Sequence, residues 1–378
     1  MAVACRKTMD ADDPRLLIWL DIEAPAETKA DAVGPVAAET NAENSIKDLK
    51  IWVFLSEDVD ENHRAGSLIG YLNPTSSTSA DPLTNYENRY HIIPLDRAIA
   101  QAKPKVDIYA IGNASAAGQS NLGADTSRED LDALVMQGER FGVISSTGKP
   151  KYTSISAGNM PYTGVRKAVS MTGSYPVLRV EAVTLRKVAA KFRFVLCQLK
   201  DEVGAMIKDL KVTGLSLDTG LISNKEYLFN DSEYDYKLDG YITKGVTLLA
   251  SSDTPISPAL NAAPEEYAFN PPADPTRLAA YAQEYETLIL NGISKKVLTD
   301  YGKCYLRETD KKITGTISYS IDGVQKEPVT FSMLNEGDFA RGRSWIVYIY
   351  FLRDAMRFSV SWSPWTDGRE FDLTPSEN

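Results

Sequence analysis

At 378 residues, with 43% hydrophobic and 9% aromatic residues, the chain is too long for one ordinary β-sandwich and about right for two compact folded domains. A net charge of −10 with no long basic cluster excludes a phosphate-neutralising nucleic-acid binder, and no apolar run is long enough for a transmembrane helix. Three cysteines, Cys5, Cys197 and Cys304, exclude a disulfide-stapled scaffold, and the two histidines, His63 and His91, stand in no zinc-ligand spacing.

In chain order, Met1-Ala2-Val3-Ala4-Cys5 places a small residue directly before a cysteine, as at the end of a lipoprotein signal. Polar Arg6-Lys7-Thr8 follows, so residues 1–14 read as a tether with Cys5 as the lipidation candidate; a chance cysteine in a disordered N-terminus is the plainer alternative. Arg15 to Glu23 is the first predicted strand, with Leu16, Ile18, Leu20 and Ile22 on one face by strand alternation. From Ala24 to Glu43 the sequence turns Ala/Pro/Glu/Thr-rich without periodicity, a protease-accessible loop that carries Lys29. Strands are expected at Leu49 to Leu55, Tyr90 to Leu95 and Val106 to Ile111, the last running into a Gly112-Asn113-Ala114-Ser115 turn. Ser127 with Asp130 marks a helix start, Leu131, Leu134 and Val135 its buried stripe and Gly138 its stop. Ser154 to Gly164 leads to a strand at Val169 to Thr172, and Gly173-Ser174-Tyr175-Pro176 punctuates the chain. The domain division is set near 180, giving residues 15–180 and 181–378.

The second half opens on Val183 to Leu199, where helix competes but the β-branched and aromatic residues favour one strand. Strands follow at Ile207 to Leu217 and at Thr314 to Ile321, the latter closed by a hairpin signal, Asp322-Gly323, with Val329 to Met333 as partner. Between them lies an insertion whose helix starts at Asp274-Pro275 and ends at Asn291-Gly292. The chain finishes with Trp345 to Leu352 and Met356 to Trp365. In the latter, Phe358, Val360 and Trp362 alternate with serines, and Phe371 and Leu373 again stand two apart in the tail. That alternation suits a strand donated to a neighbour and equally an ordinary closing strand; the spaced apolar residues of the tail favour donation.

Catalytic signatures are missing: there is no nucleophile elbow, phosphate loop or dinucleotide fingerprint, so the chain is expected not to be an enzyme and to need no cofactor. Asp231, Glu233, Asp235 and Asp239 could gather calcium oxygens, but Tyr236 and Ile242 stand where an EF-hand loop has its glycine and closing glutamate, and a solvated loop is the better reading. Tyr227, Tyr234, Tyr236 and Tyr241 could stack on a sugar, yet packing explains them more simply.

Taken in order, several segments resemble the fimbrillin family of Bacteroidales, the subunits of type V pili. They are the cysteine start, the lone first strand and its loop, Glu43-Asn44-Ser45-Ile46-Lys47-Asp48-Leu49-Lys50-Ile51-Trp52-Val53-Phe54 and Asp107-Ile108-Tyr109-Ala110-Ile111-Gly112-Asn113-Ala114. Asn159-Met160-Pro161-Tyr162-Thr163-Gly164, Val183 to Lys191, Cys304-Tyr305-Leu306-Arg307-Glu308 and Arg343-Ser344-Trp345-Ile346-Val347-Tyr348 continue the series. Two positions depart from the family pattern: Lys29 stands where arginine is the common cleavage residue, and Pro161-Tyr162-Thr163-Gly164 replaces Pro-Met-Ser-Gly.

The resemblance implies an all-β fold of two Greek-key (transthyretin-like) β-sandwich domains with short helical insertions. It implies an outer-membrane lipoprotein, anchored by lipid on the precursor, that reaches the cell-surface fimbrium. A protease acting at Lys29 would remove the strand bearing Leu16, Ile18, Leu20 and Ile22, and a neighbour's Phe358, Val360, Trp362, Phe371 and Leu373 would refill the groove. Its partners are then other pilin subunits, head to tail, with a host glycan or protein added for a tip subunit. A tip adhesin and a non-polymerising surface glycan-binding lipoprotein are the alternative readings.

Overall fold

The computed structural model describes residues 12–22, 46, 48–74, 90–119, 121–136, 160–198, 209–222, 225, 227–230, 240–241, 243, 245–252, 255, 304–333, 339–351 and 356–364. Among these residues the protein is mostly β-sheet with a few short helical segments. The first nine strands are β1 (Arg15–Ile22), β2 (Leu49–Leu55), β3 (Leu68–Leu72), β4 (Tyr90–Pro94), β5 (Lys105–Gly112), β6 (Tyr162–Ser170), β7 (Thr172–Ser174), β8 (Val177–Arg179) and β9 (Val183–Lys187). They form one sheet in the order β3-β2-β5-β6-β9-β1-β8-β7, with β4 added on β1.

β2 and β5 are its most apolar strands, and nearly every residue of both is buried, on both faces, as befits strands in the interior of a sheet. They pair antiparallel from Leu49 opposite Gly112 to Leu55 opposite Val106. The buried Trp52 places its indole N–H on the Gly123 carbonyl at 2.7 Å. The buried Asp107 accepts from Ser56 Oγ at 2.6 Å, the Ala168 amide at 2.8 Å and Arg128 at 3.1 Å, so its charge is matched by donors rather than left bare. Gly164 is required where β6 crosses β9, because a Cβ there would stand 2.5 Å from the Thr184 carbonyl oxygen.

Two short helices lie in this half: α1 (Arg97–Ala102), capped by Asp96, and α2 (Arg128–Asp132), whose Ser127 and Asp130 form the expected capping box. The second helix is shorter than the sequence pattern predicts. Leu134 and Val135 leave it because Val135 forms a bridge with Tyr227 and Leu134 O accepts from Leu228 N at 2.9 Å.

The remaining strands are β10 (Ala190–Gln198), β11 (Leu210–Leu217), β12 (Val246–Leu249), β13 (Cys304–Leu306), β14 (Ile313–Ile321), β15 (Val324–Gln325), β16 (Val329–Met333), β17 (Arg343–Phe351) and β18 (Met356–Pro364). One sheet runs β13-β10-β17-β18; another runs β12-β11-β14-β15, with β16 also on β14. Buried residues of both sheets pool in one cluster that includes Leu215, Ile317, Phe331, Ile349 and Phe351. The Asp322-Gly323 turn closes β14 with both residues at positive φ, 50° and 75°, and the chain returns along β14 first as β15 and then as β16.

The single strand expected from Val183 to Leu199 is two, β9 and β10, in different sheets. Val188, Ala189 and Ala190 are consecutively buried, which no half-exposed strand allows. There Val188 N donates to Pro161 O at 3.1 Å and Ala189 O accepts from Gly342 N at 3.0 Å. The first buried cluster runs from Leu16 to Ala189 and takes in Leu228 and Phe229; the second starts at Ala190, beyond the division near 180 read from the sequence.

Candidate strand-exchange site

β1 forms because its odd and even positions differ in kind. Leu16, Ile18 and Leu20 are fully buried, whereas Leu17, Trp19 and Asp21 are half-buried on the other face. Burying three such side chains contributes about 6 kcal/mol before ordering costs. The backbone is held on both edges. Along one, Arg15 to Trp19 pairs antiparallel with β4 from Pro94 back to Tyr90. Along the other, Arg15 to Leu17 pairs parallel with β8, and Leu20 to Ile22 pairs parallel with Val183 to Leu185 of β9. Arg15 N donates to Pro176 O at 2.8 Å, and Leu95 N donates to Pro14 O at 2.9 Å.

β1 is therefore the strand through which β9, β8 and β4 are joined among the described pairings. Its departure would leave a gap about 10 Å wide, twice the spacing between neighbouring strands, edged by unpaired backbone and floored by the contacts of Leu16, Ile18 and Leu20.

On the outer face of the β1–β4 pair, Trp19 meets Tyr90 edge to face at 4.4 Å between ring centroids. Tyr90 and Ile92 are 46% and 47% exposed. On the inner face of β4, beside the buried Ile93, stands His91, in register with Ile18. Its Nε2 is buried without a hydrogen-bond partner, and burial pushes the imidazole pKa down to about 4.

At the other end of the described chain, and among the described pairings, β18 lies on the rim of its sheet. It pairs antiparallel with β17, with Phe358 opposite Ile349, Val360 opposite Val347 and Trp362 opposite Trp345. The backbone register of Ile22 is Leu185 of β9. Cys5, Lys29, Phe371 and Leu373 lie outside the described residues, as do Asp231, Glu233, Asp235 and Asp239 and the helix expected from Asp274. Among the described residues no group of histidine, cysteine or carboxylate side chains has metal-binding geometry.

Sequence reading missed the β7–β8 hairpin, which supplies part of one groove wall. Gly173-Ser174-Tyr175-Pro176 signals its turn, but three-residue strands are too short to show a period.

Comparison with protein-family models and with curated protein sequences gives no match. Solved structures similar to this chain include fimbrial and cell-adhesion proteins of Bacteroidales. One is a fimbrial assembly protein of Parabacteroides distasonis, at 12% identity and a TM-score of 0.44, covering 92% of this chain and 94% of that one. Another is the tip fimbrial protein Mfa3 of Porphyromonas gingivalis with C-terminal truncation, at 12% identity and a TM-score of 0.44, covering 93% and 100%. A third, also from Parabacteroides distasonis, is described provisionally as a cell adhesion protein, at 12% identity and a TM-score of 0.49, covering 95% and 99%.

Proposed function

We propose that the chain is a structural subunit of a type V cell-surface pilus that assembles by strand exchange. The observation that carries this reading is the setting of β1, with fully buried side chains and partners on both edges, followed in sequence by the Ala/Pro/Glu/Thr-rich stretch that contains Lys29. A protease cutting at Lys29 releases β1, and a strand from the next subunit restores both ladders and the core contacts. The contact is heterologous and does not close on itself, so repetition gives a filament.

In this reading each buried cluster fills a Greek-key β-sandwich, the two domains are those read as residues 15–180 and 181–378 with β9 and the Leu228–Phe229 segment packed into the first, and the donor is the Met356 to Leu373 segment. The precursor is acylated at Cys5 and exported as an outer-membrane lipoprotein, a step taken from the sequence resemblance.

The experiment is limited trypsin digestion of the full chain followed by incubation. Lys29 is expected to be cut first, and treated subunits should form ladders on a gel run without boiling. Deleting residues 366–378 should leave a folded monomer that no longer joins the ladder. Undiminished ladders from the truncated chain reject the tail as donor, and complete loss of β1 without any ladder rejects exchange.

A further inference from the structure

The segment Tyr227–Phe229 follows β10 in sequence yet is built into the first body, that of the buried cluster that runs from Leu16 to Ala189, the cluster from Ala190 onward being the core of the second. Tyr227 bridges to Val135, Leu228 N donates to Leu134 O, and Phe229 packs edge to face on Tyr109 at 5.2 Å. Leu228 O accepts from two sides: from Thr163 Oγ1 of β6 at 2.6 Å, and from Arg341 Nη1 at 2.9 Å. The same guanidinium donates to Tyr227 O at 2.7 Å and to Glu308 Oε1 at 2.6 and 3.1 Å. Both charged side chains are out of water, 9% exposed for Arg341 and 5% for Glu308. A buried guanidinium with four directed bonds fixes the position of what it holds.

Thr163, the first-body end of this arrangement, stands opposite Arg186 of β9, and β9 is the strand that pairs with Leu20 to Ile22 of β1. Beyond β9, Ala189 O is tied to Gly342, the neighbour of Arg341 in sequence. The wall of the β1 groove and the joint between the two buried clusters thus share β9 and its immediate contacts.

We infer that Arg341, with Glu308 behind it, is a clasp that couples occupancy of the β1 groove to the joint between the two bodies. A filled groove holds β9 and so the seat of Leu228; an emptied groove loosens both. Coupling is reciprocal, so breaking the clasp loosens β1 by the same factor. The functional meaning rests on the exchange reading: the subunit's second body would register whether its groove is full.

Amide hydrogen exchange on the full chain tests the coupling, with Arg341→Met and, as a gentler variant, Thr163→Val. Exchange is expected to rise about tenfold at Leu228 and at Leu20 to Ile22 in either variant. The Arg15 to Leu17 end, which pairs with β8 instead, should change less, and β14 should stay at its wild-type rate. Faster exchange at Leu228 with β1 unchanged overturns the coupling. Unchanged exchange at Leu228 overturns the clasp, and a rise that includes β14 reduces the effect to global destabilisation and overturns it as well. If Arg341→Met does not fold, Thr163→Val decides by the same outcomes. The ladder assay on the wild-type chain is independent: its failure removes the exchange reading and leaves the measured coupling standing.

Discussion

β1 and β18, the first and last strands of the described chain, are held in opposite ways. β1 lies inside its sheet with partners on both edges, all of them distant in sequence. β18 sits on a rim and pairs with β17, from which residues 352–355 separate it. Removing β18 would leave β13-β10-β17 as a continuous sheet; removing β1 would divide the first sheet between β9 and β8 and strand β4. An interior strand returns two ladders to water when it leaves, and a rim strand one. The contrast teaches that a vacancy and a spare strand need not be made by the same device. A fold creates demand for a strand where pairing is long-range and two-sided, and it can part with one where pairing is local and one-sided.

Three measurements would break or sharpen this contrast. The largest effect is expected from Ile18→Asp, which puts a carboxylate where the native side chain is fully buried. Urea unfolding followed by tryptophan fluorescence should show a loss of more than about 4 kcal/mol. A loss under about 1 kcal/mol would mean that the first body does not depend on β1.

Next comes acid. His91 is held neutral, with its pKa pushed down to about 4 by burial against the β1 side of β4. The unfolded chain takes up its proton near the ordinary histidine value of 6.5, so between there and pH 4 the unfolded state binds more protons. The contribution of His91 is therefore unchanged at neutral pH and turns against the fold as pH drops through this window, reaching on the order of 2–3 kcal/mol by pH 4. His91→Gln should flatten the slope of the urea midpoint between pH 4 and 6.5; an unaltered slope would show that the imidazole finds water or a partner in the folded chain.

The smallest effect is expected on the outer face of β1. Trp19→Leu removes the edge-to-face contact with Tyr90 and should cost about 1 kcal/mol in thermal unfolding. A cost matching that of Ile18→Asp would mean that the outer face of β1 holds the strand as firmly as the inner one.

Much of the candidate exchange site was legible in the sequence because strand alternation is a two-residue signal, and Leu16, Ile18 and Leu20 carry it in full. The Asp322-Gly323 turn was equally plain, since positive φ at both positions leaves few residue types at ease. What the sequence could not show was adjacency. Nothing local in Tyr90–Pro94 or Val177–Arg179 says that they flank β1, and the break at Val188-Ala189 interrupts a run whose β-branched and aromatic residues favour strand on both sides of it. The clasp was invisible for the same reason: Arg341, Glu308 and Leu228 are unremarkable one by one, and only the fold brings them together. Leu134 and Val135 show tertiary structure overriding a local pattern, since their helical spacing yields to the bridge with Tyr227.

The two ends of β1 differ, and the difference is mechanical. At Arg15 to Leu17 the strand is clamped from both sides, by β4 and β8; past Trp19 the described pairing to β4 ends, and among the described strand pairings Leu20 to Ile22 is held by β9. A pull applied from the side that leads to Lys29 therefore meets the weaker end first. It works as a peel, opening one short ladder before it reaches the doubly held part, whereas the same force at Arg15 would have to shear both ladders at once. The strand is fastened like a strip with a lifted corner, and the corner lies on the side where the chain continues to Lys29.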